Sequence, residues 1–204
     1  MAPLFWACVL AALPAGRAAA PAAARPLKSS IVRLAAGTQN GLTADVSTAA
    51  QIQALAKLLE ELNPTAHLAT SELVDGQWQL VYTSTSGGSA GKIGPFVGRV
   101  EQHFDLRQGR YKNFVHLGPQ AIDLVTGELQ ATWDVLGDAL WRVNFKSISF
   151  FLLGLPIVKD KPLSQCGTWR LVYTDDDFRI LWAQGGTKPE NIYVLKRTGA
   201  SFDR

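Results

Sequence analysis

The fold is decided by residues 167–180, GTWRLVYTDDDFRI. Before the three aspartates, apolar residues occupy every second position: Trp169, Leu171 and Tyr173. After them a second alternating set begins: Phe178, Ile180 and Trp182. A period of two is typical of a β-strand with one buried face, and Asp is a common turn residue. The stretch therefore predicts two strands joined by a short turn at 175–177.

The same period recurs along most of the chain. Alternating segments lie at 76–82, 99–106, 111–117, 129–135, 141–145 and 192–196, separated by turn signals such as Gly137-Asp138 and Gly185-Gly186. About eight short strands of this kind predict an antiparallel sandwich or barrel, and closure into a barrel removes exposed edges. Such a barrel has an interior that side chains fill or that holds one small ligand. The aromatic residues on the alternating face fit either alternative.

One amphipathic helix precedes the strands. Ile52, Leu55, Leu58, Leu59 and Leu62 repeat at helical spacing, which predicts a helix over 47–62. Asp45 or Ser47 is placed to cap its start, and Pro64 ends it. We expect the leucine stripe to lie on the barrel; a stripe lying on a membrane surface is the alternative.

Residues 1–44 differ from the remainder in charge. They contain four basic residues and no acid, which leaves 16 basic and 17 acidic residues in the remainder. The remainder is therefore not basic in the way a nucleic-acid-binding domain is, and no nucleic-acid partner is predicted. The apolar run 4–15 is shorter than the ~20 residues of a membrane-spanning helix and is interpreted as a signal-like segment. Residues 25–41 have transit-peptide composition. We predict a disordered plastid-targeting leader at 1–44, a barrel domain at 45–198 and a C-terminal tail at 199–204. For the leader, the alternatives are a plain secretory signal and a poorly ordered Ala-rich N-terminal segment.

The motifs of common catalytic and metal sites are absent from the sequence. The Gly-rich stretch 87–93 has the wrong spacing for a phosphate-binding loop and is interpreted as a hairpin or lid loop. The three histidines are dispersed, and no G-x-S-x-G elbow occurs. Of the two cysteines, Cys8 lies in the leader and Cys166 has no nucleophile signature around it. No enzyme activity, metal or cofactor is predicted; Arg179 is expected to pair with an acid at 175–177 or to meet a ligand headgroup.

The most apolar internal run is SISFFLLGLPIV at 147–158. It is interpreted as a buried strand followed by a turn, or as a flap that touches a membrane or lipid droplet. Lys159 and Lys161 directly after it suit an anionic surface. The membrane-contact residues predicted for the flap are Phe150, Phe151, Leu152, Leu153 and Leu155.

Three stretches together resemble the plastid lipid-associated protein family, also called fibrillins or plastoglobulins. They are the helix end at 62–64 leading into GQWQLVYTS at 76–84, the middle strand with Gly98, Val100 and Gln102, and residues 167–180 closed by IYVLKR at 192–197. The resemblance covers roughly residues 50–198. Thr174 and Phe178 depart from it, because the family usually has leucine there.

The resemblance implies a lipocalin-like antiparallel β-barrel of about eight strands with one N-terminal amphipathic helix. It also implies plastoglobule or thylakoid association and the binding of a lipid, prenylquinone or carotenoid. The residues expected at the cavity and its surroundings are Trp78, Tyr82, Trp133, Trp141, Phe145, Trp169, Tyr173 and Arg179. A binding module is the leading hypothesis; a structural coat on plastid lipid droplets or membranes, and a barrel enzyme acting on a lipid, are the alternatives.

Overall fold

Eight antiparallel strands form a closed barrel. The structure, a computed structural model, describes residues 21–119 and 122–199. The barrel strands are β1 (Gly76–Thr83), β4 (Arg99–Asp105), β5 (Arg110–Leu117), β6 (Val125–Gly137), β7 (Leu140–Leu152), β9 (Cys166–Thr174), β10 (Phe178–Gln184) and β11 (Asn191–Gly199). Their order around the barrel is β6-β5-β4-β1-β11-β10-β9-β7, and the pairing of β6 with β7 closes it. The predicted antiparallel barrel of about eight strands is confirmed.

A hairpin extends beyond the barrel. The first part of β7 pairs with β9, from Leu140–Arg170 to Asn144–Cys166. Its second part pairs with β8 (Leu155–Pro162) instead. We call residues 147–162 the arm. For residues 147–158 the prediction was a buried strand followed by a turn. The end of β7 is a partly buried strand followed by a turn, but the prediction missed β8 after the turn, whose residues are all exposed. The reason is topological: β8 pairs with β7 alone and lies at the edge of the sheet.

The Gly-rich segment forms a small hairpin, as predicted. A short 3₁₀ turn (Gly88–Ala90) leads into β2 (Lys92–Ile93) and β3 (Phe96–Val97), which pair with each other. We call residues 87–98 the lid.

Within the described residues, two α-helices lie outside the barrel. The predicted helix is present as α2 (Val46–Glu61), and the Asp45 side chain caps it by accepting a hydrogen bond from the Thr48 N–H at 2.6 Å. Before it lies α1 (Ala24–Ala35), which sequence reasoning missed. α2 packs mainly on α1 and touches the barrel at β9.

The prediction that residues 1–44 are disordered was therefore wrong for the described part of that segment. α1 buries Ala24, Ile31 and Ala35 in one cluster with Ile52 and Leu59 of α2. The segment was misread because its basic, acid-free composition matches a transit peptide, while its short apolar face is weak evidence of a helix on its own. Residues 1–20, including Cys8, lie outside the described residues, so their targeting role stays a prediction.

The barrel wall separates two hydrophobic clusters. The inner cluster fills the lumen, and the outer cluster lies between the strands and the helices. Strand β10 contributes side chains to both clusters: Leu181 belongs to the inner cluster, and Phe178 and Ile180 belong to the outer cluster. This follows from the alternation of side chains across a strand.

Candidate functional site

The lower half of the lumen is closed by fully buried aromatic rings. Trp78, Phe104 and Trp141 have no exposed surface. The indole N–H of Trp78 donates to the Val74 carbonyl at 2.9 Å, and that of Trp141 donates to the Ala69 carbonyl at 2.9 Å. Because both acceptors lie in the 3₁₀ turns before β1 (Leu68–Thr70 and Glu72–Val74), these bonds close the lower end of the barrel.

Arg179 lies among these rings. Its guanidinium carbon is 4.4 Å from the Phe104 ring centre, 5.5 Å from that of Trp141 and 5.9 Å from that of Trp78. None of its three guanidinium nitrogens has a hydrogen-bond partner among the described residues. Burial lowers the pKa of Arg179 to about 9, so the side chain remains a cation at neutral pH. The faces of aromatic rings attract a cation, and here they stand in for a carboxylate partner.

The predicted pairing of Arg179 with the aspartate turn was wrong. Asp175 instead accepts the backbone N–H of Phe178 at 2.8 Å and the ammonium of Lys28 at 2.8 Å. It also accepts the hydroxyl proton of Tyr173. Burial alone would lower the pKa of Lys28, but its hydrogen bonds to Asp175 and Asp177 outweigh burial and raise this pKa. Burial alone would raise the pKa of Asp175, but hydrogen bonds from Lys28, Tyr173 and Asp177 lower it. This ion pair ties α1 to the turn between β9 and β10.

The upper half of the lumen is open and contains two adjoining chambers. The first, of about 250 Å³, is lined by residues from several strands, among them Gln102, Tyr111, Asn113, Trp169 and Tyr193. We call it the polar chamber. The second, of about 380 Å³, is mainly apolar and is lined by Ile93, Val115, Leu129, Ile148 and Phe150, with further residues of the lid and β6. We call it the apolar chamber. Ser89, Asn113 and Leu129 line both.

A pair of rings forms the floor of the polar chamber. Tyr111 and Trp169 line it and meet edge to face with ring centres 5.1 Å apart. The ring of Phe104, which packs on Arg179, has its centre 4.7 Å from the ring centre of Tyr111 and 6.4 Å from that of Trp169. Burial raises the pKa of Tyr111 well above its ordinary value, so its hydroxyl stays neutral. The floor thus separates the open half from the caged cation.

Gln102 is the chamber residue with an unsatisfied polar atom. Its side chain is 3% exposed, and its Oε1 has no hydrogen-bond partner among the described residues. It lies directly opposite Asn113 in the β4–β5 ladder. A buried acceptor without a partner costs free energy that a bound donor would recover.

The lid is fastened by the segment between the helices. Asn40 Nδ2 donates to the Ala90 and Gly98 carbonyls, each at 2.9 Å, and its own carbonyl accepts the Thr83 N–H at 2.9 Å. Asn40 has a left-handed backbone conformation with φ of 61°, which Asn tolerates better than most residues. Lys92, Ile93 and Ser89 of the lid reach the chambers, so this latch holds the cover of the upper half.

The predicted cavity residues are distributed over three places. Phe145 and Trp169 line the polar chamber. Four lie in the inner cluster or its closed lower half: Trp78, Trp133, Trp141 and Arg179. The remaining two, Tyr82 and Tyr173, were wrongly expected there, because they belong to the outer cluster with the helices.

Irregularities in the strand pairing explain the error for the two tyrosines. The pairing of β1 with β11 changes register between Leu80 and Tyr82. The pairing of β9 with β10 changes register between Leu171 and Tyr173, because these two residues lie opposite consecutive residues of β10. An inserted residue in one strand moves the next side chain to the opposite face. Extrapolation of a strict period of two could not detect this.

The predicted membrane-contact residues also divide. Leu152, Leu153 and Leu155 are 48%, 64% and 71% exposed at the tip of the arm. Phe150 and Phe151 are half-buried, and Phe150 lines the apolar chamber. The arm therefore connects an exposed apolar tip to the wall of the cavity. No helix in the described part of the chain is long and apolar enough to cross a membrane.

The outer face of β4 and β5 has an ionic network rather than a metal centre. Glu101 accepts from Arg99 at 2.8 Å and lies 3.2 Å from the His103 ring nitrogen. The hydrogen bond with His103, together with Arg99, lowers the pKa of Glu101 to about 2. Among residues 21–119 and 122–199, no group of three or more His, Cys, Asp or Glu side chains is arranged to hold a metal ion.

Several residues of the site escaped sequence reasoning. Gln102 was noted only as part of a resemblance, and Asn113, Asn40 and Lys28 were not singled out at all. Inward-facing amides on two paired strands, Gln102 and Asn113, are a signal that the sequence contains, since both fall on the apolar face of their strands. No local signal connects Asn40 or Lys28 with partners 50 to 149 residues away.

Two comparisons with known proteins show what the sequence is similar to. The family model described as PAP_fibrillin matches residues 25–166, more than half of the chain. A relative from Arabidopsis thaliana, named "Probable plastid-lipid-associated protein 5, chloroplastic", is 26% identical over an alignment of 183 residues; the match covers 84% of this chain and 69% of the relative. The match to the family model begins inside α1, in agreement with a fold that includes that helix.

Proposed function

The chain belongs to the PAP_fibrillin family, and from this membership we propose that it binds one hydrophobic molecule in the upper half of its barrel. The molecule is a lipid, prenylquinone or carotenoid, and the site of action is the plastid, at plastoglobules or thylakoids. The plastid lipid-associated relative supports the compartment and the ligand class. The proposed activity is binding and not catalysis.

The observation that carries the proposal is the pair of adjoining chambers. Ligand pockets usually measure roughly 300–1,000 Å³ and are mostly apolar with a few polar groups. The chambers of about 380 and 250 Å³ share three lining residues and together fall in that range. Burial of apolar ligand surface contributes about 25 cal/mol per Å² before the costs of association. A chain-like ligand can therefore be held with few polar contacts.

Native mass spectrometry with lipid extraction tests this proposal. We expect residues 21–204, purified from a pigment- and quinone-containing host, to carry one such molecule per chain. Leu129→Trp places a large ring at the boundary of both chambers and should abolish the bound mass. Gln130→Trp makes the same insertion at the next position, on the opposite face of β6. Both variants are first checked for an unchanged unfolding midpoint and β-sheet spectrum. An empty wild-type protein, still empty after incubation with those lipids, would contradict the proposal.

A second function is favoured by the arm. Its tip exposes Leu152, Leu153, Leu155 and Ile157, and Lys159 and Lys161 follow. Apolar side chains beside basic ones suit the surface of an anionic bilayer or lipid droplet. We propose that the arm contacts that surface, so that the chain also coats it. The predicted flap residues Phe150 and Phe151 would form the base of this contact.

Flotation with liposomes tests the coat function. We expect wild-type protein to float with vesicles containing an anionic lipid and the double variant Leu153→Ser, Leu155→Ser to remain in solution. The matched control is Val135→Ser, Leu136→Ser, because these residues are also exposed and lie at the other end of β6. Equal flotation of both double variants would contradict a contact through the arm.

A further inference from the structure

We propose that the polar chamber selects ligands with a neutral, hydroxyl-bearing ring as the head, and that the apolar chamber takes the tail. This inference rests on the proposed function, since it names the ligand chemistry of the same site. It depends on three features of the chamber: its orphaned acceptor, its aromatic walls and its charge.

The unsatisfied acceptor of Gln102 favours a ligand head that donates a hydrogen bond. Gln102 Oε1 is buried without a partner among the described residues. Asn113 lies opposite it in the ladder and brings two side-chain N–H donors to the same chamber. A hydroxyl group both donates and accepts one hydrogen bond, so it can bridge these two amides. An ether or a hydrocarbon end cannot donate, and it would leave Oε1 unsatisfied.

The aromatic walls of the polar chamber favour a planar ligand head. Tyr111 and Trp169 form the floor, and Phe145 and Tyr193 also line the chamber. Aromatic faces pack best against planar rings, in offset or edge-to-face geometry. A chamber of about 250 Å³ is small, so a single ring suits it better than a folded acyl chain.

Among the described residues, no buried cation lines the chamber to pair with an anionic head. Lys188 is the one ionic side chain among the described residues that line it, and Lys188 is exposed to solvent. Arg179 is screened from the chamber by the Tyr111–Trp169 floor and already faces three rings. A carboxylate has no proton to donate to Gln102 at neutral pH, and its burial without a partner is costly. A neutral head is therefore preferred over an acid of the same size.

Three probes with one tail separate these alternatives: para-octylphenol, para-octylanisole and para-octylbenzoate. Binding is followed at pH 7 by the fluorescence of the tryptophans, one of which, Trp169, lines the chamber. We expect the phenol to bind about tenfold more tightly than the anisole, the effect of one hydrogen bond to a buried acceptor. The benzoate should bind more weakly than the phenol.

Gln102→Leu tests the assignment of the acceptor. It removes the amide at similar volume, so the tenfold preference for phenol over anisole should disappear. The control Gln79→Leu makes the same change on the outer face of β1, between the inward residues Trp78 and Leu80, and should keep the preference. Because an unsatisfied buried polar group is lost, the unfolding midpoint of empty Gln102→Leu should equal or exceed that of the wild type.

Each result is decisive. Equal affinity for phenol and anisole in the wild type would overturn the inference while leaving the proposed function intact. A preference for benzoate would overturn it in favour of an anionic head directed at Arg179. A fall of several degrees in the midpoint of Gln102→Leu would show that Gln102 serves the fold. Failure of all three probes, together with an empty protein from the pigment-containing host, would contradict the proposed function itself.

Discussion

The two halves of the barrel lumen are built by the same strands and have opposite character. In β10, Arg179 and Leu181 face the closed lower half, while Ala183 lines the open upper half. In β9, Leu171 packs in the inner cluster, and Gly167 borders the polar chamber. In both strands a small residue lies on the inner face at the upper end, and this leaves space there in the lumen.

We infer from this difference that one half of the barrel stabilises the fold, while the other half leaves room for the proposed ligand. The lower half holds large rings and a cation whose hydrogen-bonding groups are enclosed by aromatic faces. The upper half has two amides, aromatic rings that border open space, and the lid as its cover. Substitutions in the lower half should act on stability, and substitutions in the upper half should act on binding.

A comparison of the stability of Trp141→Ala with that of Phe145→Ala tests this division between the halves. It has the largest expected effect. Trp141 is fully buried and bonds Ala69, so its truncation should lower the free energy of unfolding by about 3–5 kcal/mol. Phe145 borders the polar chamber and is only half-buried, so its truncation should cost about 1–2 kcal/mol but weaken ligand binding. Denaturant unfolding measures both. Equal losses of stability would show that the halves are not distinct.

Lys28→Ala tests the support of the wall behind the closed half and should have the second largest effect. The change leaves Asp175, whose side chain is 1% exposed, without its cationic partner, and about 2–3 kcal/mol of stability should be lost. Arg25→Ala on the same helix is the control, because Arg25 is exposed and should change stability by less than about 0.5 kcal/mol.

The pH dependence of the same pair has a defined sign. The pKa of Asp175 is lower in the folded protein than in the unfolded chain. Its contribution to stability is therefore complete above about pH 4, the ordinary value for Asp, and is lost as the pH falls below it. The difference in unfolding free energy between wild type and Lys28→Ala should shrink as the pH falls from about 5 to about 2, because this range spans the ordinary pKa of Asp, about 4. A constant difference would contradict a charge-based bond.

Asn40→Gly should have the smallest effect on global stability and a local effect on the open half. It removes the two donors to Ala90 and Gly98 and keeps a residue that accepts a positive φ. We expect a loss of about 1 kcal/mol and faster amide hydrogen exchange in residues 87–98. The control is Gln39→Gly, because Gln39 is exposed and also has a left-handed conformation. Unchanged exchange in the lid would show that Asn40 is not its latch.

What the sequence by itself determined is the repeated local pattern. The alternation in segments such as 167–180 predicted the strands, and the three aspartates predicted the turn between β9 and β10. The spacing of leucines and the capping Asp45 predicted α2 nearly to the residue. These features depend on side-chain periods and backbone preferences of neighbouring residues, which a sequence displays directly.

Only the tertiary structure decided which face of a strand reaches the lumen after a bulge, as for Tyr82 and Tyr173. It also decided that residues 24–35 fold onto α2, and that Arg179 meets aromatic rings while Lys28 takes the neighbouring aspartate. The position of Gln102 opposite Asn113, with both residues on the inner face, became visible only when β4 and β5 were paired. These are contacts between residues far apart in the chain. Their partners are selected by how the whole barrel closes and packs, because burial and the loss of water are properties of the assembled wall and not of any segment.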